Sequence, residues 1–302
     1  MARILVVEKI SSGAVSLLKK KHTVEEYLEW SPPDLLKKIK GFDVIIVRSK
    51  AQVTKELIDA GDKLKIIARA GAGLDNIDAK YVESKGIKVI NTPGANLLSV
   101  AELTLGLALA LLRHISEADK TTKQGLWEKK RFTGMEVSGK KWGIVGFGKI
   151  SYLVAGLLSG FKCQILAYDP YVSKEVAASA GAKLVSLDEL LKESDIISIH
   201  VPLLDSTRGL IGAKQLAMMK KSAIIINISR GGIIDEKALY DAVKEKRIQG
   251  AALDVFEKEP PDGSPLLQLE NTLYTCHLGA QTLEAQERVG TELVEKLLKE
   301  LG

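Results

Sequence analysis

Short runs of apolar, mostly β-branched residues alternate with helical patterns along nearly the whole chain. Four such runs near the amino terminus are typical of buried strands: Arg3–Glu8, Val44–Val47, Lys65–Arg69 and Lys88–Ile90. Helices are predicted between them, near Ser12–Lys20, Pro32–Lys40, Thr54–Ala60 and Asp78–Lys85. Strands that alternate with helices form parallel sheets, because a parallel connection needs a crossover that is usually helical. The order of elements therefore predicts an α/β fold with a doubly wound parallel sheet.

The alternation is interrupted by one long helix, predicted from about Leu98 to Gln124, and it resumes at Lys141. A second series of strands is predicted at Gln164–Tyr168, Lys183–Val185, Ile196–Ile199, Ala223–Ile228 and Ala251–Val255. The last helix is predicted over Thr282–Leu301, where leucines recur at helical spacing. The simplest organisation is two α/β units joined by a long helix, which suits 302 residues at roughly 150 residues per domain.

The composition is that of an ordinary globular protein, with 46% hydrophobic and 27% charged residues. The excess of basic over acidic residues, 43 to 38, is spread along the chain and does not indicate nucleic-acid binding. Two cysteines are too few for a disulfide framework. The most apolar window, Leu97–Leu112, contains Glu102 and is short for a membrane span. The first residues are typical of a strand rather than a signal peptide. We therefore expect a cytoplasmic protein without a nucleic-acid or membrane partner.

A glycine-rich turn follows the predicted strand that begins at Lys141 and precedes a helical pattern over Tyr152–Leu158. Gly146 would make the tight turn, and Gly148 would let backbone N–H groups approach a pyrophosphate at the helix N-terminus. The third position of this dinucleotide-binding pattern is Ser151, where glycine or alanine is usual, which weakens the match. A chance turn remains an alternative for the glycines alone.

An acidic residue at the end of the next predicted strand completes the dinucleotide pattern. Asp169 lies 21 residues after Gly148 (169 − 148), which is the usual distance to the acid that binds the ribose hydroxyls. A carboxylate there repels a 2′-phosphate, so Asp169 favours NAD over NADP. The alternative is a solvated aspartate that merely begins a turn.

Three further segments place reactive side chains at the carboxyl ends of predicted strands, where ligands bind in open α/β sheets. Arg230 follows the apolar strand that ends in Asn227, Glu259 follows the strand at Ala251–Val255, and His277 follows another short apolar run. Arginine binds a carboxylate in a bidentate pair, and a histidine oriented by a glutamate can move a hydroxyl proton. Beside a nicotinamide, this set suits hydride transfer between an alcohol and a carbonyl. A buried structural histidine is the alternative for His277 alone.

The sequence resembles the D-2-hydroxyacid dehydrogenase family over almost its whole length. The matching segments, in family order, are Val47–Ser49, Arg69–Asn76, Asn91–Asn96, Ser99–Glu102, Trp127–Lys130, His200–Leu203, Arg230–Gly232, Ala251–Phe256 and His277–Ala280. The resemblance implies that Arg230 binds the substrate carboxylate, that Glu259 supports His277, and that His277 is the general acid–base. It also implies an NAD site lined by Gly146, Gly148, Lys149, Ile150, Asp169, Pro202, Thr207, Ile228, Ser229, Asp254, Gly279 and Ala280, in which Asp254 holds the nicotinamide carboxamide.

The resemblance also implies how the two units are assembled. A Rossmann NAD-binding domain, residues 96–279, is expected to be inserted in a flavodoxin-like substrate domain formed by residues 1–95 and 280–302. The substrate is expected in the cleft between them, at Arg48, Arg69, Gly71, Ala72, Gly73 and Asn96. A homodimer contact is expected through the helix and arm of residues 98–137. No counterpart to the regulatory domains of longer relatives is expected after Gly302, and no metal site is predicted, since no cysteine and histidine spacing suits one.

The activity that this resemblance implies is NAD-dependent oxidation of 3-phospho-D-glycerate at its C2 hydroxyl, with Arg48 and Arg69 as candidates for the phosphate. The alternatives are reduction of glyoxylate or hydroxypyruvate, and a non-enzymatic protein that senses NAD(H). Two departures from the family pattern bear on the site besides Ser151. Lys149 stands where arginine is common, and Cys276 replaces the proline before His277. We interpret Cys276 as a small apolar filler, with a reactive thiol as the alternative.

Overall fold

The computed structural model describes all residues from 1 to 302 and divides the chain into two compact units. The discontinuous unit comprises Met1–Asn96 and Ala280–Gly302, and the central unit comprises Leu97–Gly279. Each unit contains one parallel sheet. The division alone does not assign the first unit to substrate or the second to NAD.

The discontinuous unit contains a five-stranded parallel sheet in the order β2-β1-β3-β4-β5. The strands are β1 (Arg3–Val6), β2 (Thr23–Glu26), β3 (Val44–Val47), β4 (Ile66–Arg69) and β5 (Lys88–Asn91). The helices are α1 (Ser12–Lys19), α2 (Pro32–Lys38), α3 (Lys55–Ala60), α4 (Ala79–Ser84) and, from the carboxyl terminus, α12 (Leu283–Leu301). This strand order is that of flavodoxin-like folds, as predicted. Helix α12 belongs to this unit because its apolar face, with Val289, Leu293 and Leu297, is buried against α1 and the sheet.

The sequence patterns did not predict strand β2. Its residues, Thr-Val-Glu-Glu, pair only with β1 at the edge of the sheet, and none of them is fully buried. An edge strand that is exposed on one side lacks the apolar run by which the central strands β1, β3 and β4 are recognised.

The central unit contains a seven-stranded parallel sheet in the order β12-β11-β10-β9-β6-β7-β8. The strands are β6 (Lys141–Val145), β7 (Gln164–Tyr168), β8 (Ala182–Leu184), β9 (Ile196–Ile199), β10 (Ile224–Asn227), β11 (Gly250–Leu253) and β12 (Thr272–Tyr274). The helices are α5 (Leu97–Leu112), α6 (Ile115–Lys123), α7 (Lys149–Leu158), α8 (Lys174–Ser179), α9 (Leu187–Glu193), α10 (Ala213–Met218) and α11 (Glu236–Lys244). Counted from β6, the first six strands have the Rossmann order, so the predicted fold class is confirmed.

The single long helix predicted over Leu98–Gln124 is wrong, because the structure has two helices there. Helices α5 and α6 meet at a 60° bend. His114 adopts a left-handed conformation at the break, with φ +52°, which interrupts the helical hydrogen-bond ladder. Histidine is among the residues enriched in that conformation, but no proline or glycine marks the break in the sequence. No single helix is long and apolar enough to span a membrane. Taken together, the bent pair α5 and α6 has the length and composition of a membrane span, and nothing else indicates one.

Candidate active site

The glycine-rich turn lies between β6 and α7 in the central unit. Gly146 has φ +86°, and a Cβ there would lie 2.6 Å from Cγ1 of Val201, so both its conformation and its surroundings require glycine. Gly148 is the N-cap of α7, and apart from its chain neighbours no atom lies within 4 Å of the position that its Cβ would occupy. The N-terminus of α7, which begins with Lys149 and Ile150, therefore has room for an anion beside its backbone N–H groups. These residues fit the pyrophosphate of a dinucleotide.

Asp169 lies directly beside this turn, as its spacing predicts. It follows β7, and its Oδ2 accepts a hydrogen bond of 2.8 Å from the backbone N–H of Phe147. Its Oδ1 accepts a second bond of 2.8 Å from the N–H of Tyr171. A carboxylate has about four lone-pair sites, so acceptor capacity remains for the hydroxyls of a ribose. The carboxylate thus has the position and the chemistry to bind an NAD ribose.

Ser151, which weakens the match to the usual motif, contributes a hydrogen bond to the glycine turn. Its side chain is fully buried, and its hydroxyl donates a hydrogen bond of 2.6 Å to the carbonyl oxygen of Gly146. Glycine or alanine at this position lacks that donor. The departure from the usual pattern therefore fits the packing of α7 on the sheet and adds a bond across the turn.

Two loops that follow β9 and β10 are joined by a hydrogen bond at the carboxyl edge of the sheet. The hydroxyl of Ser229 donates to the carbonyl oxygen of Val201. In the first loop, the hydroxyl of Thr207 donates to the carbonyl of Pro202 at 2.5 Å, and the N–H of Leu204 donates to the Thr207 hydroxyl at 2.8 Å. Pro202, Thr207 and Ser229, all predicted to line the NAD site, therefore belong to one bonded group. Ile228, predicted with them, is buried next to Ser229.

His200 lies at the end of β9, is itself partly buried, and continues a hydrogen-bond chain that begins at buried Trp142. The indole N–H of Trp142 donates to the hydroxyl oxygen of Ser198 at 2.9 Å, and that oxygen lies 3.0 Å from Nε2 of His200. Burial lowers the pKa of His200 from 6.5 to about 3. The imidazole is therefore neutral at pH 7, and its Nε2 can accept the serine proton.

This lowered pKa predicts a loss of stability in mild acid. The unfolded chain binds a proton at His200 below pH 6.5, whereas the folded chain does not until about pH 3. The contribution of His200 to the free energy of unfolding is therefore complete above pH 6.5 and falls by about 1.4 kcal/mol per pH unit below it. Urea unfolding can be measured at about pH 7 and about pH 5. The decrease in the free energy of unfolding between these pH values should be roughly 2 kcal/mol larger in the unaltered protein than in His200→Gln. Equal losses in the two proteins would contradict the prediction.

Arg230 is positioned by the loop that follows β10. Its Nη1 donates a hydrogen bond of 2.7 Å to the carbonyl oxygen of Ser229, so the guanidinium is attached to its own loop. Gly231 allows this loop to touch the loop that follows β11, since a Cβ at Gly231 would lie 1.9 Å from the carbonyl oxygen of Phe256. Arg230 is thereby brought beside the segment that leads to Glu259.

His277 and Glu259 form a hydrogen-bonded pair. Nδ1 of His277 lies 2.8 Å from Oε2 of Glu259, and Oε1 of Glu259 accepts a bond of 3.2 Å from the N–H of Phe256. Burial favours the neutral acid, but the hydrogen bond and charge of His277, with the charge of Arg230, outweigh it and lower the pKa of Glu259. Glu259 is therefore a carboxylate at neutral pH that accepts the Nδ1 proton. Nε2 of His277 is left to exchange a proton with a ligand.

Asp254, at the end of β11, holds the turn that carries His277. Its side chain is 1% exposed. Its Oδ1 accepts bonds from the Thr275 hydroxyl at 2.7 Å and the Leu278 N–H at 2.6 Å, and its Oδ2 accepts one from Gly279 at 3.0 Å. Its carbonyl oxygen accepts the N–H of His277 at 2.9 Å. The contact of Asp254 with a nicotinamide carboxamide stays a prediction, as do the roles of Gly279 and Ala280.

The predicted substrate residues of the discontinuous unit lie at the carboxyl ends of β3 and β4, except Asn96, which follows β5. The guanidinium of Arg48 donates to the Lys9 carbonyl at 3.3 Å and to Oε1 of Gln281 at 3.1 Å. Burial lowers the pKa of Arg48, which the nearby Glu8 carboxylate opposes. The remaining residues of this set are Arg69, whose guanidinium packs over Gly71; Ala72, whose carbonyl accepts from Asn91; Gly73; and Asn96.

Two features of the site differ from the sequence interpretation. Cys276 is exposed, so its interpretation as an apolar filler is wrong. Asn227 was not recognised as a site residue, although its amide contacts the loop of Arg230. The available signal was a polar residue at the end of the otherwise fully apolar strand β10.

Comparisons with known proteins agree with this geometry. The family described as "D-isomer specific 2-hydroxyacid dehydrogenase, NAD binding domain" matches residues 105–279. The chain is 48% identical to the D-3-phosphoglycerate dehydrogenase of Methanocaldococcus jannaschii over 302 residues, which is all of this chain but 58% of that protein. It is 49% identical to the hydroxypyruvate reductase of Thermotoga maritima over 306 residues, covering 99% of this chain and 98% of that one. Among solved structures, the TT0316 protein of Thermus thermophilus has a TM-score of 0.91 and 32% identity, covering 99% of this chain and 96% of that one.

Proposed function

The chain belongs to the D-isomer specific 2-hydroxyacid dehydrogenase family, and we propose that it transfers hydride between NAD(H) and a small 2-hydroxy or 2-oxo acid. The observation that carries this proposal is the pair of His277 and Glu259, 2.8 Å apart between Nδ1 and Oε2. Arg230 lies near enough to that pair to lower the pKa of Glu259. All three residues belong to the same unit as the glycine turn.

In the proposed reaction each residue has one task. The guanidinium of Arg230 binds the carboxylate of the acid and orients its C2 atom. Nε2 of His277 accepts the C2 hydroxyl proton during oxidation and returns it to the carbonyl oxygen during reduction. The Glu259 carboxylate keeps the imidazole oriented through Nδ1. NAD supplies the hydride acceptor, and Asp169 beside the glycine turn supports NAD rather than NADP.

For the substrate we propose 3-phospho-D-glycerate, oxidised to 3-phosphohydroxypyruvate on the route to serine. Support comes from D-3-phosphoglycerate dehydrogenases that match this chain at 48% and 44% identity. Arg48 and Arg69 are the proposed phosphate ligands. This chain spans just over half the length of those relatives, 58% of the first.

Hydroxypyruvate is the second candidate, and two observations favour it. The relative named hydroxypyruvate reductase matches this chain along 98% of its own length. Both terminal nitrogens of Arg48 are already bonded to Lys9 and Gln281, which leaves the guanidinium less free for a phosphate. Glyoxylate, a smaller 2-oxo acid that also has no phosphate, is grouped with hydroxypyruvate in this second candidate function.

A substrate panel distinguishes these candidates. We expect kcat/KM with NADH to be at least about 10-fold higher for 3-phosphohydroxypyruvate than for hydroxypyruvate or glyoxylate, the effect of one charge-assisted contact. The matched control is Arg48→Gln, which should lower only the value for the phosphorylated acid. A kcat/KM for hydroxypyruvate as high as for its phosphorylated form would select the second candidate. No turnover of any 2-oxo acid together with tight NADH binding would instead support an NAD(H)-sensing protein.

We further propose that the chain forms a homodimer in the cytoplasm. Support for the dimer is the exposure of large apolar side chains in the 98–137 segment, with Leu126 47% and Trp127 86% exposed. Support for the location is that Cys163 and Cys276 are both free thiols.

A further inference from the structure

We propose that Asn227 is a positioning residue: it holds Arg230 where its guanidinium can bind the substrate carboxylate. This inference rests on the proposed function of Arg230. Asn227 is the last residue of β10 and is 2% exposed. Its amide does not need to touch substrate or cofactor in order to act, because both of its hydrogen bonds are to the loop that carries Arg230.

The side chain of Asn227 closes the loop in two places. Its Oδ1 accepts a bond of 3.0 Å from the N–H of Ser229, which is the pattern of an Asx turn. Its Nδ2 donates a bond of 2.8 Å to the carbonyl oxygen of Arg230. One amide therefore fixes the backbone on both sides of the Ser229–Arg230 peptide. Because Nη1 of Arg230 donates to the Ser229 carbonyl, the guanidinium moves with that peptide.

The backbone of Asn227 also joins this loop to the rest of the site. Its carbonyl oxygen accepts the N–H of Asp254 at 2.9 Å. Asp254 in turn accepts three hydrogen bonds from the turn that carries His277. Two adjacent buried residues at the ends of β10 and β11 therefore set the position of the proposed carboxylate-binding group and of the proton-transfer group. A substitution of Asn227 should affect Arg230 more than His277, because the Asn227 side chain bonds only to the Arg230 loop.

The test is the Asn227→Asp substitution, which keeps the shape and the Oδ1 acceptor but replaces the Nδ2 donor by an oxygen facing the Arg230 carbonyl. With hydroxypyruvate and NADH, we expect KM to rise about 10- to 100-fold, as misplacing a binding group does, while kcat falls less than about threefold. The dissociation constant of oxamate, an unreactive 2-oxo acid analogue, should rise by the same factor in the NADH complex. Asn227→Ser, which lacks the Nδ2 donor and whose shorter hydroxyl cannot make both loop bonds, should behave in the same way if the aspartate variant unfolds.

Two control variants make the outcome decisive. Asn271→Asp makes the same chemical change at an exposed, left-handed position in the loop before β12, and should leave KM unaltered. Arg230→Lys tests the proposed function itself. If Arg230→Lys raises KM but the folded Asn227 variants do not, positioning by Asn227 is overturned and the function of Arg230 stands. If neither changes KM, both proposals are overturned. An Asn227 variant whose kcat and KM change together with its urea midpoint would show a structural role only and would also overturn the proposal.

Discussion

Replacing His277 by alanine is expected to lower kcat for 2-oxo acid reduction by about 10²- to 10⁴-fold, the usual contribution of a general acid–base. Nε2 of His277 is the proposed proton donor, and its other nitrogen is held by Glu259 at 2.8 Å. The glycine turn and Asp169 are held by bonds to each other and to Ser151 rather than to the imidazole, so NADH should still bind. Stopped-flow or steady-state kinetics measure kcat, and NADH fluorescence titration measures the affinity for NADH.

The matched control for this variant is the neighbouring residue. Cys276→Ser changes an exposed side chain on the same turn and should keep kcat within about threefold of the unaltered protein, as surface substitutions usually do. Full turnover by His277→Ala would remove His277 from the proposed mechanism. Loss of NADH affinity in that variant would mean that the turn held by Asp254 had moved.

The fold could be predicted wherever burial leaves a pattern in the sequence. Strand β3 is buried at all four positions, and its run Val-Ile-Ile-Val marks it without any structural information. Strand β2 is half exposed and carries two glutamates, so no pattern marks it. The bend at His114 was also not predicted, because the modest preference of histidine for the left-handed conformation is too weak to mark a helix break without a proline or glycine.

The site could be predicted only at the level of residue types and spacing. Gly148 follows β6 and Asp169 follows β7. Because these two strands are neighbours in the sheet, the sequence separation of the two residues predicted that the carboxylate lies near the turn. The hydrogen bonds of Ser151, Asn227 and Asp254 depend on side-chain directions at the ends of strands. Several orientations fit the same spacing, and only the folded chain selects one.

Replacing Gly231 by alanine is expected to impair both stability and turnover. The added Cβ would lie 1.9 Å from the carbonyl oxygen and 2.0 Å from the carbonyl carbon of Phe256, and 2.4 Å from the N of Glu257. These are backbone atoms, so the clash cannot be relieved by rotating a side chain. Either the loop of Arg230 or the loop that leads to Glu259 must move, at a cost of about 1–3 kcal/mol or more, as in overpacked interiors.

This displacement should reduce activity more than it reduces the free energy of unfolding. The two loops carry Arg230, which binds the substrate carboxylate in the proposed reaction, and Glu259, which orients His277. We expect kcat/KM to fall by about 10²-fold, the effect of misplacing reacting groups by about 1 Å. Gly156→Ala is the matched control, since Gly156 lies on an exposed face of α7 and the added Cβ would meet no atom from outside its own helix within 4 Å. That change should keep kcat/KM and raise the free energy of unfolding by up to about 1 kcal/mol, because alanine favours the helix. If Gly231→Ala matched this control in both urea midpoint and kcat/KM, the close contact between the two loops would have no part in forming the site.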